Sequence, residues 1–575
     1  MNSNHSGIIF TNKEQISLLV LVIIAFVLGV LGYYEYYKSI DQSATLFDLM
    51  YRSLTMFFLD FPAEGKLPWT LEMARWLAPL TLTFTIVKTF LALARSKFHL
   101  YQLSRKHDHA ILFGLDKNSA KLACSMLKNG QNPVVVEDDE HNQYLGILAE
   151  SKVPYLIANP ADKTLLKKLN LAQAKYLFAN TASDSTNLEI LHQALSIEKT
   201  RLLKAVCKIR QISLINVLSS CSLFSTNHPN METKLINHKK LTARWLLGHQ
   251  GPDILIKDFA SRQNLHIGIL GDNLLLNSLV ERLAEIGIYC PNSQLKVSII
   301  HVGKVPEENL LEQSSVLNEL LDINHIHLPD FNLESLQTNA KITKFDCLYV
   351  LLKEFDSVLL SLHYLQRCSV DFPVVVTETD NLQGFTWLSE EFYNQTNFIF
   401  ANPYDAIHDF DSIFGEKQDA LAKAIHNAYL AEEEAKGLSV QDNNALVPWD
   451  ELPEVLKDAN RNQADHSLTK CRFLTGTSSP DKQTLMQTLS KENVELLAEM
   501  EHQRWVAEKR LAGWQYTSGE KDSNRRLSPS LIPYNELSEA EKQKDRDTIL
   551  NLPKLLELRG KAPASSAGCR RLAAG

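Results

Sequence analysis

From Ile16 to Tyr34 the chain reads ISLLVLVIIAFVLGVLGYY, nineteen residues without a charge. That is long enough for a helix to cross a hydrocarbon layer of ~30 Å. A cleaved signal peptide is the competing reading. Against it stand the slight charge before the run, Lys13 with Glu14 beside it, and the Tyr-rich sequence after it, which is no small-residue cleavage site. Tyr33, Tyr34, Tyr36 and Tyr37, closed off by Lys38, read instead as an aromatic belt at a membrane interface.

A second span is expected from Trp76 to Ala94, with Trp69 and Trp76 at one interface. Pro79 sits early in it and Lys88 late, where a lysine can snorkel to the headgroups. Arg95, Lys97, Arg105 and Lys106 follow, a basic cluster that places the next segment in the cytosol, and two spans then put the N-terminus there too. The expected layout is a cytosolic N-terminus over 1–15 and a transmembrane region over 16–98, with helices at about 16–36 and 74–96. Between them Phe47, Met50, Tyr51, Leu54 and Phe58 recur at helical spacing, which predicts a short amphipathic helix over 46–60. Span, short helix, span resembles the layout of a two-span potassium-channel pore. A potassium filter, however, is built from the carbonyls of a Thr-Val-Gly-Tyr-Gly loop, and here the helix runs into DFPAEGKLPW. Potassium selectivity is not supported, and the helix reads either as a pore helix or as an interfacial helix packing the hairpin.

At 575 residues the chain holds several compact units. Its 59 Lys and Arg against 67 Asp and Glu give a formal charge of -8, so charge offers no reason to expect nucleic acid as a partner. The eight cysteines are scattered singly, without metal-site spacing or disulfide density, and read as reduced, mostly buried thiols.

The stretch HAILFGLDKNSAKLACSMLKNGQNPVVVEDDE reads as strand, turn, helix and a second strand ending in acids, the opening of a βαβ unit. A full dinucleotide fingerprint has three glycines; here only Gly114 remains, with Asp116 and Ser119 in the other two places. A carboxylate at 116 would repel a pyrophosphate unless turned away. Glu137, at the end of the second strand, stands where an acid can accept hydrogen bonds from ribose hydroxyls. The block ANPADKTLLKKLNLAQAKYLFANTASDSTNLE then supplies further strands and helices. With it, residues 107–245 resemble the NAD-binding domain of Trk potassium-uptake regulators and the RCK-like domains that regulate potassium conductance. The resemblance implies a Rossmann-like domain that binds NAD(H) or another adenine nucleotide as an effector. It carries Gly114, Glu137, Asn159, Asp162, Asp184 and Asn187 over as cofactor-binding residues.

A degenerate second copy is expected over 262–405. It opens at NLHIGILGDN with Gly271 matching Gly114, its second strand ends at His301 instead of an acid, and Asp356 and Ser357 match Asp184 and Ser185. It reads as a structural half without its own nucleotide. In the resembling family two such lobes, within one chain or between subunits, pass ligand closure to the pore. The expected fold is a doubly wound parallel sheet in each lobe.

Beyond the lobes AIHNAYLAEEEAKG matches MEHQRWVAEKRLAGW, and ALVPWDELPEVLKDANRNQ matches SLIPYNELSEAEKQKDRDT, a second internal repeat. His426 answers His502, Tyr429 answers Trp505, Glu432 answers Glu508, Pro448 answers Pro533, Trp449 answers Tyr534 and Arg461 answers Arg546. The copies are placed at 415–476 and 490–557, before a tail, 558–575, expected to be disordered. The second copy resembles the ryanodine-receptor repeat (RyR) domain through its E-H-x-R-W, G-W-x-Y, P-x-L-x-P-Y and D-R positions. Aromatic faces beside cations suit a purine carrying phosphates. The ligand set drawn from this module is His502, Trp505, Glu508, Trp514, Tyr516, Pro533, Tyr534 and Arg546. The alternative is that the aromatics form the core of a small helical module whose helices the arginines cap.

The expected protein is α/β: an N-terminal two-helix transmembrane region, two tandem Rossmann-like doubly wound domains and a C-terminal, mainly helical, duplicated RyR module. The resemblances imply a multi-pass protein of the bacterial inner membrane with both termini cytosolic, assembling with further copies of itself. They imply a nucleotide-sensing, ligand-gated ion-channel-like effector of the potassium transport and conductance-regulator class, with phage defence as a setting. The alternative is an anchored regulatory subunit that controls a separate transporter without conducting ions. An NAD-dependent oxidoreductase fits the sheets but not the rest, so no catalytic residue and no metal ligand is assigned.

Overall fold

The computed structural model describes residues 12–219, 221–225, 228–271, 274–302, 315–328, 344–378, 384–414, 419–440, 445–477 and 481–561. The chain divides into two compact units, one of 1–107 with 137–140 and 156–171, the other of 108–136, 141–155 and 172–575.

The first unit is built on three helices, α1 (Asn12–Ser39), α2 (Leu46–Thr55) and α3 (Trp69–Ser104). Among the described residues one helix, Ser17–Ser39, is long and apolar enough to cross a membrane. The expected second span falls within α3, which runs past residue 96 to Ser104 and carries Pro79 inside it; residues 89–104 are described in backbone only. Small residues form the seam between α1 and α3: Ala25, Ala74 and Ala78 are buried, and a Cβ on Gly32 would lie 2.6 Å from the Leu71 nitrogen. The helices close to a distance that only glycine permits there.

Helix α2 starts at a reciprocal cap, in which Thr45 Oγ1 accepts from the Asp48 N–H at 3.3 Å and Asp48 Oδ2 from the Thr45 N–H at 3.1 Å. Leu49, Ser53 and Met56 face the hairpin, while the apolar stripe read from the sequence points away, with Phe47 82% and Phe58 76% exposed. The stripe does not pack the hairpin; its period placed it on one face without saying which way that face turns.

After α3 come two sheets of one topology. The first has strands β1 (His109–Phe113), β2 (Asn132–Glu137), β3 (Tyr155–Ile157), β4 (Tyr176–Ala179), β5 (Leu203–Lys208) and β6 (Met231–Ile236), in the order β3-β2-β1-β4-β5-β6. The second has β7 (His266–Gly271), β8 (Lys296–Val302), β9 (Asp322–Leu328), β10 (Cys347–Leu351), β11 (Val374–Thr377) and β12 (Phe398–Ala401), in the order β9-β8-β7-β10-β11-β12, parallel throughout. The central strands are buried along their whole length, which is why they read as unbroken apolar runs rather than alternating ones. Both sheets reverse direction between their first and fourth strands, the switch point at which doubly wound folds form a crevice.

Around the sheets lie α4 (Lys117–Lys128), α5 (Asp184–Leu195), α6 (His238–Gln250), α7 (Leu274–Ile286) and α8 (Phe355–Arg367). The helical repeats follow: α9 (Ala420–Ala435) and α10 (Glu454–Thr475) form the first, α11 (Lys491–Leu511) and α12 (Glu539–Leu550) the second, closed by α13 (Leu552–Lys561). One apolar core serves both, with Ile425, Trp449 and Leu452 beside Leu497, Tyr534 and Leu537. Because α13 reaches Lys561, residues 558–561 of the expected disordered tail are helical, and 562–575 lie outside the described residues. The described cysteines are all free thiols, but Cys221 is exposed and only Cys207, Cys347 and Cys471 are buried, fewer than expected.

Candidate functional site

At the switch point of the first sheet Gly114 takes φ +84°, and a Cβ there would lie 2.5 Å from the Asn180 carbonyl oxygen. Its glycine is required by the close crossing of the ends of β1 and β4. Asp116 caps α4: Oδ1 accepts from the N–H groups of Asn118 at 3.0 Å and Ser119 at 2.8 Å, and Oδ2 pairs with Lys208 Nζ at 2.8 Å. The carboxylate is therefore turned inward onto the amides that a pyrophosphate would use, so these residues do not fit the dinucleotide that the domain resemblance implies. Asn187 is fully buried; its Oδ1 accepts from the Thr181 N–H and hydroxyl, both at 2.7 Å, and its Nδ2 donates to the Lys208 carbonyl at 3.0 Å. Asp184 accepts from the Arg210 N–H at 3.0 Å and the Gln211 N–H at 3.3 Å, holding the loop after β5. Both side chains fasten the sheet's loops.

In the other unit, Glu137 accepts from the Asp139 N–H at 3.0 Å, and Asn159 forms a turn by accepting from the Ala161 N–H at 2.9 Å. Asp162 accepts from the N–H and the hydroxyl of Thr164 at 2.9 and 2.8 Å and pairs with Lys168 at 3.3 Å. Turn-forming Asx chemistry explains the last two without a cofactor.

The RyR set divides in two. His502 Nε2 donates to the Ile532 carbonyl at 2.8 Å, with Nδ1 3.4 Å from Asp545, and Pro533 starts the 3-10 turn Tyr534–Glu536. Tyr534 donates to Glu495 at 3.2 Å, and Arg546 holds the same carboxylate through two bonds of 2.7 and 2.9 Å and Glu539 through a third of 3.0 Å. His502, Pro533, Tyr534 and Arg546 thus hold one another and their neighbours within the second repeat, and Arg546 does so by pairing with two side-chain carboxylates rather than by capping a helix. Tyr516 is 51% exposed on a short strand pair and does not line the cleft described next.

Trp505, Glu508 and Trp514 do come together, in a cleft of about 790 Å³ between the two repeats. Each copy contributes matching positions: Tyr429 and Trp505, Glu432 and Glu508, Gln463 and Thr548. The Glu508 carboxylate is paired with Arg504 at 2.6 Å and Lys509 at 3.2 Å, and Glu432 accepts a hydrogen bond from the Asn551 amide at 3.0 Å. Burial pushes the Glu508 carboxyl up, and Arg504 and Lys509 outweigh it, leaving it below the usual range. The second repeat supplies the positive side. Lys509 and Lys521 lie 5.7 and 5.9 Å from the centre of the Trp514 ring, on which both cations rest. Burial and then the charge of Lys509 lower the Lys521 pKa. Flat apolar faces beside two ammonium groups can hold a planar base and an anion together. Lys521 was missed in the sequence because it falls outside the motif positions of the second copy, and only folding sets it over the Trp514 ring.

Residues 110–223 match the TrkA-N domain family and residues 481–561 the RyR domain family. No curated protein sequence matches the chain. Solved structures that resemble it include GsuK bound to ADP (14% identity, 68% of this chain and 94% of that one, TM-score 0.35). The GsuK channel bound to NAD (13%, 68% and 81%, 0.38) and the GsuK RCK domain (14%, 57% and 79%, 0.37) are others. Superpositions this loose assign neither fold nor function. The two domain matches and the paired parallel sheets define a chain with a nucleotide-binding type of regulatory domain joined to a RyR module.

Proposed function

We propose that this chain is a nucleotide-sensing membrane protein: an adenine nucleotide enters the cleft between the helical repeats, and the change passes through α10 to the sheet lobes and on to the membrane helices, which open an ion path. The observation that carries this reading is the two-faced helix α10. Leu456, Ala459, Asn460 and Gln463 line the cleft. The other side of the helix is bolted to both lobes. Lys457 pairs with Glu232 of β6 at 2.8 Å, and Asp465 with Arg244 of α6 at 2.7 Å and Arg282 of α7 at 2.5 Å. His466 donates to the Ile288 carbonyl at 2.8 Å, and Arg472 pairs with Asp253 at 2.6 Å. Buried, geometrically exacting pairs such as these have few intermediate arrangements, which suits a helix that switches rather than yields.

The TrkA-N match supports a regulatory role in potassium transport systems, and α3 leads through residues 105–108 alone into β1. The nucleotide is read as an effector that is bound and not converted, since both cleft carboxylates are already engaged. The assembly is read as several copies in the bacterial inner membrane, with both termini cytosolic. Protein reconstituted in liposomes should release ions on addition of one member of an adenine-nucleotide panel; silence across the panel contradicts the channel.

A second reading is an anchored regulator of a separate transporter. It is favoured by DFPAEGKLPW in place of filter sequence. Silent bilayers together with a co-purifying polytopic partner would select it.

A further inference from the structure

Asp116 stands where the second glycine of a phosphate-binding loop is expected, and its carboxylate makes the contacts a ligand phosphate would make. It takes the amides of Asn118 and Ser119 in the first turn of a 12-residue helix, and the ammonium of Lys208, whose side chain is only 10% exposed. Helix N-termini favour an anion because their first amides are unpaired and the dipole is positive there. Here those amides are spent on the chain itself. Ser119, in the third glycine place, closes the loop from the other side: its hydroxyl accepts from the Asp116 N–H and donates to the Gly114 carbonyl, both at 2.9 Å. Burial alone would push the Asp116 carboxyl up. Lys208 and the Ser119 amide outweigh it and hold the group below the usual carboxylate range, so it is ionised at neutral pH.

We propose that Asp116 is a built-in substitute for a nucleotide phosphate, holding the first sheet lobe in a loaded form and excluding a dinucleotide from its crevice. The lobe then works as a relay with no ligand of its own. This goes beyond the function proposed above, and the two can fail separately, because one concerns the sheet crevice and the other the helical cleft.

The test uses the full chain carrying Trp514→Ala and Lys521→Ala, which weakens any binding in the cleft so that binding in the crevice can be read beside it. NAD and ADP are titrated with Asp116 intact, then with Asp116→Gly and with Asp116→Asn, and hydrogen exchange of residues 114–119 localises any binding. Glycine is an acceptable N-cap and asparagine a good one, so both variants keep the helix start. The expected result is no protection of 114–119 with Asp116 in place and at least a tenfold gain in affinity on Asp116→Gly. A smaller gain is expected for Asp116→Asn, and Lys208→Met should abolish either. Protection of 114–119 by NAD or ADP while Asp116 is present overturns the proposal, as does a folded Asp116→Gly protein with no gain. If the glycine variant fails to fold, exchange in the Asp116-intact protein decides by itself: protection overturns the proposal, and none at saturating NAD supports it.

Discussion

His426 and His502 do the same work in two copies of one motif: each Nε2 donates to the carbonyl of the residue before a proline, Val447 at 2.7 Å and Ile532 at 2.8 Å. The arginines that follow keep the same symmetry. Arg461 holds Asp419 through two bonds and Glu454 through a third, as Arg546 holds Glu495 and Glu539. Their surroundings differ, since Asp419 and Glu454 are buried while Glu495 and Glu539 have side chains 46% and 76% exposed. Arg461→Ala strands buried carboxylates and should cost about 3–5 kcal/mol. Arg546→Ala should cost about 1 kcal/mol or less. Denaturant unfolding of the two variants checks the order, and equal losses would contradict it.

Gly114→Ala should destabilise the first lobe whether or not a nucleotide is present, because the added Cβ meets the Asn180 carbonyl at a positive φ. A loss of about 1–3 kcal/mol is expected for strain of this kind. Hydrogen exchange in β1 and β4 should accelerate, while a variant that lost only ligand affinity would leave those strands protected.

In the cleft, Trp514→Ala and Lys521→Ala should each weaken nucleotide binding, by about 0.5–1 kcal/mol for a ring-cation contact whose lysine is exposed. Lys521 has a lowered pKa, so its charge is complete at low pH and is lost on raising the pH before an ordinary lysine would lose its own. Affinity for a phosphate-bearing ligand should therefore fall on the alkaline side earlier in the native protein than in Lys521→Arg, which stays charged. Superimposable pH profiles would contradict this.

Acid should loosen the junction between α10 and the second lobe. Burial, and then the nearby charge of Lys470, lower the pKa of His466 from 6.5 to about 3, with Glu501 acting in the opposite sense. Above pH 6.5 both folded and unfolded forms are neutral and the stabilisation is complete. As pH falls from 6.5 toward about 3 the unfolded chain takes up a proton that the folded one refuses, and stability is lost. His466→Asn, which keeps a donor for the Ile288 carbonyl, should flatten the loss over that window in pH-dependent unfolding; an unchanged slope would contradict the assignment.

The duplications were legible in the sequence because they rest on covalent order: the two sheets share one strand order, and the Pro-aromatic turns recur. Which residues face a ligand was not legible. Asn187 and Asp184 are specified as strongly as any binding residue would be, because each satisfies several buried or loop-closing hydrogen bonds. A motif match records that demand without recording its cause. Trp505, Glu508 and Trp514 were found as aromatic and charged positions, but the cleft also needs Tyr429 and Gln463 from the other copy, a juxtaposition made only by folding. The outward turn of Phe47 and Phe58 was hidden for a related reason: helical spacing groups residues on a face without choosing its neighbour.

The central claim is that the nucleotide is read between the helical repeats. Calorimetric titration of the full chain with ADP, ATP and NAD, repeated on Trp514→Ala/Lys521→Ala and on Asp116→Asn, tests it most directly. The prediction is binding of at least one of the three to the native chain, reduced tenfold or more in the cleft variant and retained in Asp116→Asn. Binding that survives the cleft substitutions unchanged, or no binding of any of the three, would contradict it.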